Sequence, residues 1–140
     1  MKNWFRTLML FLAVTASVQA QENKAVSHKI IFQVQTGDTL AHKALVKQLN
    51  NIITVAPDSK IELVCHGPGI EMLVTAKSVV HEKIKALAAK GIVFTACEFT
   101  MSEKNIPKEA IMPEAVTVKY GILEIVSKQE QGWSYIKAGF

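Results

Sequence analysis

The chain has 140 residues, of which 49% are hydrophobic and 20% charged, with a formal net charge of +4. That is one domain's length with enough apolar content to bury a core, which excludes a disordered, collagen-like or low-complexity protein. Two cysteines are too few for a disulfide-stapled scaffold.

Residues 1–20 have three zones: a positive start with Lys2 and Arg6, an apolar run from Leu8 to Val14, and a small or polar stretch ending Val18-Gln19-Ala20. This layout predicts a secretory signal peptide cleaved after Ala20. A spanning helix needs about 18–20 apolar residues, and this run is shorter. Gln21 follows the cut, so no cysteine is offered there for a lipid. The expected product is residues 21–140, a single domain in a periplasm with no membrane attachment. Cleavage removes Lys2, Arg6 and no acid, so the net charge falls to +2 and no arginine remains. Phosphate and base-edge recognition favours clustered Arg and Lys, so nucleic acid is not an expected partner.

Within residues 21–140, His28 to Gln35 reads as a buried strand ending in alternation. Thr36 to Thr39 is a turn with capping residues. Leu40 to Ile53 follows as an amphipathic helix with Ala41, Ala44, Leu45, Leu49, Ile52 and Ile53 on one side. Lys60 to Cys65 is a second strand closed by the loop His66-Gly67-Pro68-Gly69, and Ile70 to Val74 is apolar but too short to assign. Ser78 caps a helix carrying Val80, Ile84, Leu87 and Ala88, which Gly91 terminates. Ile92 to Ala96 is a third strand running into Cys97, with a short helix from Glu98 to Lys104. Ala115 to Tyr120 is a fourth strand, Ile122 to Gln131 a helix, and Trp133 to Lys137 a last strand on which Trp133 and Tyr135 pack. Short Ile/Val-rich strands alternating with helices predict a parallel sheet with helices on both faces. Such folds gather ligands and chemistry at the carboxyl ends of the strands.

Both cysteines fall at such ends. Cys97 opens a helix, where backbone N–H groups favour a thiolate; the other reading is a small buried hydrophobe. Cys65 and His66 end strand two, and a disulfide from Cys65 to Cys97 is a further possibility in an oxidising compartment. Gly67 and Gly69 either present amides to an anion or make a tight turn. No cofactor or metal is expected. The phosphate-loop Lys-Ser/Thr, the dinucleotide spacing and Cys-x-x-Cys are absent, and Lys85 stands where a zinc-protease helix beginning His81-Glu82 needs its second histidine. Met72, Met101 and Met112 read as core.

Three stretches together carry a resemblance: Cys65-His66-Gly67-Pro68-Gly69-Ile70; Gly91-Ile92-Val93-Phe94-Thr95-Ala96-Cys97-Glu98-Phe99-Thr100-Met101; and Gly132-Trp133-Ser134-Tyr135-Ile136-Lys137. In this order they resemble the DsrE/DsrF-like family, over about residues 28–137, and the chain is similar to its exported single-domain branch. The resemblance implies a Rossmann-like three-layer α/β/α fold with a five-stranded parallel sheet, assembled as a homotrimer or homohexamer. It implies that Cys97 carries sulfur as a persulfide, with a sulfur donor or acceptor protein as partner. The expected function is therefore sulfur binding or relay on Cys97. The alternative is a non-catalytic oligomeric binding or structural module with buried or disulfide-linked cysteines. A third, weaker option is a small-molecule or metal site at a subunit boundary using His66.

Overall fold

The computed structural model describes residues 27–139, so the expected signal peptide lies outside the described residues. Five parallel strands form one sheet: β1 (Lys29–Val34), β2 (Lys60–Cys65), β3 (Val93–Cys97), β4 (Ala115–Val118) and β5 (Ser134–Ala138), in the order β4-β3-β2-β1-β5. Four α-helices connect them: α1 (Thr39–Val55), α2 (His81–Ala88), α3 (Glu98–Glu103) and α4 (Gly121–Glu130). This is the α/β sandwich expected from the alternation of strands and helices. No helix among the described residues is long and apolar enough to cross a membrane.

Side-chain alternation divides the strands between two unequal cores. Ile30, Phe32 and Val34 of β1, with Ile61, Leu63 and Cys65 of β2 and Phe94 and Ala96 of β3, enter the larger one. There they meet Leu45, Val46 and Leu49 of α1, Ile84 and Leu87 of α2, and Met101 of α3. Ile31 and Val64 point the other way and meet Ile125 of α4, with Trp133 packed beside them. Three helices therefore cover one face and α4 covers the other. Each fully buried aliphatic side chain contributes about 1.5–3 kcal/mol, so the larger core dominates stability.

Helix α1 starts where expected, because the Asp38 carboxylate accepts the Leu40 N–H at 2.8 Å. Its buried residues are His42, Leu45, Val46 and Leu49, with Ile52 and Ile53 packed against the core; Leu45, Leu49, Ile52 and Ile53 are as expected, whereas Ala44 is exposed and His42 and Val46 are buried instead. His42 is buried there because its Nε2 donates to the Thr36 carbonyl at 2.7 Å, so the ring is satisfied. At α2 the cap position is Val80; the Ser78 hydroxyl accepts its N–H at 3.4 Å. The unassigned stretch after β2 is a 3-10 helix, Gly67–Leu73, and Val74 then bridges Ile111. Tyr135 is exposed on β5, an edge strand with little packed against it, and its expected packing role is not observed. Met72, Met101 and Met112 are core, as read.

Gly69 fixes how β2 returns to the sheet. A Cβ there would sit 2.6 Å from the Val34 carbonyl carbon, against backbone that cannot rotate away. Gly69→Ala is therefore expected to destabilise the fold by about 3 kcal/mol, read as a lower urea midpoint. An unchanged midpoint would mean that this approach is not a constraint.

Candidate functional site

Four side chains point to the α4 face of the sheet: Gln33, His66 and Cys97 at the carboxyl ends of β1, β2 and β3, and Tyr135 near the amino end of β5. Phe32 and Val34 occupy the larger core, so Gln33 between them points to the opposite face. The same alternation sends His66 past Cys65, and Cys97 past Ala96, to that face. Register pairs Ile31 with Tyr135, which puts Tyr135 there as well. Cys65 pairs with Ala96, so His66 and Cys97 stand level one position further on.

Hydrogen bonds join three of these side chains into a polar row. The Tyr135 hydroxyl donates to Gln33 Oε1, and Gln33 Nε2 lies 2.8 Å from His66 Nε2. With its oxygen held by Tyr135, Gln33 donates its NH₂ to His66 Nε2, so the ring proton resides on Nδ1. Burial holds His66 below the ordinary imidazole value, which favours this neutral ring.

Cys97 meets the row from β3 and also meets the start of α4. The Gly121 N–H donates to Cys97 Sγ at 3.2 Å. Gly121 is the first residue of that ten-residue helix, and its N–H is one that the helix itself leaves without an acceptor. A Cβ at 121 would lie 3.0 Å from Val64 Cγ1 and 3.1 Å from Cys97 Cβ, so glycine permits the approach. The sulfur thus serves as the acceptor for a helical N–H at the amino end of α4. Cys97 itself is 5% exposed. The flanking Phe99 and Tyr120 are 54% and 45% exposed with ring centroids 6.0 Å apart, and the Phe99 N–H donates to the Lys119 carbonyl at 3.2 Å.

Beneath α4 a buried ionic cluster holds the helix down. Lys128 Nζ sits 2.7 Å from Glu62 Oε2, and Thr95 donates to Glu62 Oε1 at 2.8 Å. Lys128 also lies 3.4 Å from Glu124 and 4.7 Å from the centroid of the Trp133 ring. The carboxylate and the ammonium are each paired, as burial requires.

The other residues singled out in the sequence divide differently. Cys65 is 0% exposed in the larger core, and burial pushes its thiol far above the ordinary value. It is not brought to the polar row. Cys65 and Cys97 are both free, and a bond between them is not made because their side chains leave the sheet on opposite faces. The Gly67 N–H donates to Thr100 Oγ1 at 3.0 Å and the Gly69 N–H to the His66 carbonyl at 3.0 Å. Both amides are thus engaged internally, and the loop serves as a turn that holds His66 in place. Among the described residues no group of three or more His, Cys, Asp or Glu side chains is arranged to hold a metal. Gln33, Tyr135 and Gly121 were not singled out as site residues. The only signals for them were a polar position within a strand and a glycine ahead of a helix.

No protein-family model matches the chain, and no curated protein matches it. Among solved structures it is similar to a protein of unknown function from Methanobacterium thermoautotrophicum, MTH1491, with a TM-score of 0.75 and 23% identity. The match covers 79% of this chain and 98% of that one. The likeness establishes a shared α/β fold with a five-stranded parallel sheet.

Two measurements check this geometry. Under native conditions iodoacetamide should modify Cys97 and spare Cys65, and Gly121→Ala should slow the Cys97 reaction at pH 7 by roughly threefold to tenfold. Equal labelling of both thiols, or no change in Gly121→Ala, would contradict it. A second check uses His66, whose folded-state value is depressed. Its contribution to stability is complete above the unfolded value near 6.5 and is lost as pH falls below it. The urea midpoint should therefore fall between pH 7 and pH 5, and His66→Gln should flatten that slope; an unaltered slope would assign it to other groups.

Proposed function

We propose that this protein is an exported, single-domain member of the DsrE/DsrF-like family that carries sulfur as a persulfide on Cys97. The observation that carries the proposal is the Gly121 N–H donating to Cys97 Sγ at the start of α4. It supplies an acceptor sulfur with a fixed donor and a helix end, the environment in which thiolates act as nucleophiles. The family assignment rests on the three quoted stretches, and export to the periplasm on residues 1–20.

The chemistry is an exchange of sulfane sulfur with a persulfide donor, R–S–SH. The Cys97 thiolate attacks the terminal sulfur with one of its own electron pairs. The donor's S–S bond breaks, and its electron pair leaves on the donor as a thiolate. The product is Cys97–S–SH; nothing is oxidised or reduced overall, and the proton on the terminal sulfur travels with it. Delivery to an acceptor thiolate repeats the step in reverse. Gln33 and His66 lie at the carboxyl ends of the neighbouring strands, with the His66 ring held neutral by burial and by the Gln33 contact. A homotrimer or homohexamer is part of the proposal. Ile122, Leu123 and Val126 on α4, with Val116 on β4, leave an apolar surface beside the site that isolated domains seldom expose.

The low exposure of Cys97 favours a second reading, a non-catalytic oligomeric module in which this thiol is structural. One experiment separates the two. The purified protein, without reductant, is weighed intact before and after a sulfane-sulfur donor, then mapped by peptide. The carrier reading expects one added sulfur on Cys97, and expects Cys97→Ser to load none while sedimenting as the same oligomer. Two unreactive thiols, or an oligomer that collapses in Cys97→Ser, would transfer the assignment to the structural module.

A further inference from the structure

Across the sheet from Cys97, helices α1 and α2 enclose a groove of about 380 Å³. Its polar lining is four lysines and one amide: Lys43, Lys47 and Asn50 on α1, Lys83 on α2 and Lys90 just beyond it. Its floor is apolar, formed by Val46, Ala86 and Leu87. The arrangement follows from helical periodicity, because on each helix the lining positions are spaced i, i+3, i+4 and i+7 and so share a face. Lys90 donates to Asn50 Oδ1 at 3.3 Å across one end of the groove. No carboxylate lines the groove, and the ion pairs found among the described residues involve Lys77, His81 and Lys128 instead.

We infer that this groove binds a small organic anion with an apolar body. Four ammonium groups around one small concavity repel one another and focus a positive potential into it, and an anion seated between them relieves the repulsion. The volume lies in the range of small-molecule sites, about 300–1,000 Å³. The apolar floor selects for a ligand with a hydrocarbon or aromatic portion, because an ion such as phosphate would gain nothing from Val46 and Leu87. An extended polyanion fits less well. The Lys90–Asn50 contact crosses the groove, and no arginine occurs beyond Arg6 to grip phosphates in a forked geometry. The inference is independent of the sulfur reading, since the groove and Cys97 lie on opposite faces of the sheet.

The probe is anilinonaphthalene sulfonate, an aromatic anion, with neutral phenylnaphthylamine and inorganic phosphate as comparisons. Saturable binding at one site is expected, with amide shifts concentrated in residues 43–50 and 83–90. Lys43→Gln/Lys83→Gln should weaken it about fivefold or more, given what exposed charge pairs contribute. Ala86→Glu, which adds a carboxylate at an exposed position of the lining, should abolish it. Lys108→Gln/Lys137→Gln should leave it unchanged. The inference would be overturned by equal affinity for the neutral dye, displacement by phosphate at similar concentration, equal weakening in the control pair, or shifts centred on α4. Binding of polyglutamate in place of the dye would overturn it in favour of an acidic protein partner.

Discussion

The return from β4 to β5 is the constraint on which the rest of the molecule depends. The chain adds β2, β3 and β4 successively on one side of β1, then goes back past three strands to place β5 on the other side. A right-handed crossover in the reverse direction puts its helix on the reverse face, so α4 lies alone where α1, α2 and α3 do not reach. The asymmetry of the two cores follows directly. It also brings the amino-terminal end of α4 to the carboxyl ends of β2 and β3. An unpaired helical N–H and the Cys97 sulfur meet there because the topology leaves α4 no other place to begin.

A face covered by one helix does not bury enough apolar surface to be uniformly hydrophobic, and this one is not. Glu62 and Thr95 lie within the sheet, where Lys128 descends from α4 to meet them. Such a buried pair is weak evidence for added stability, because desolvation of both charges offsets their attraction. Its value is orientation: an apolar contact tolerates rotation or sliding of α4, whereas a paired ammonium and carboxylate do not. The sulfur contact at one end of the helix and the ion pair toward the other then fix the same register.

The sequence made the elements legible because their signals are local. The Asp38 cap, the 3.6-residue stripes of α1 and α2, and the Ile/Val-rich strands each declare themselves within a few residues. In α1 the periodicity marks Leu45, Leu49, Ile52 and Ile53 but not His42, which only its bond to the Thr36 carbonyl makes a core residue. The site was less legible because it is built from register and faces. In β2, residues Ile61 to Cys65 are all buried, so alternation is hidden and the face of Cys65 cannot be read from its neighbours. Gln33 and Tyr135 lie 102 positions apart and meet only once β5 pairs with β1. Gly121 looked like a helix boundary; its closeness to Cys97 and Val64 is a tertiary fact.

Comparison of the two cysteines shows how little of a thiol's chemistry belongs to the residue itself. Cys65 and Cys97 each end a strand, in adjacent strands whose registers differ by a single position. That one position sends Cys65 into the larger core, where burial without a donor raises its thiol and leaves it inert. It sends Cys97 to the other face, where the Gly121 N–H at the start of α4 donates to the sulfur and the two thiols' surroundings part.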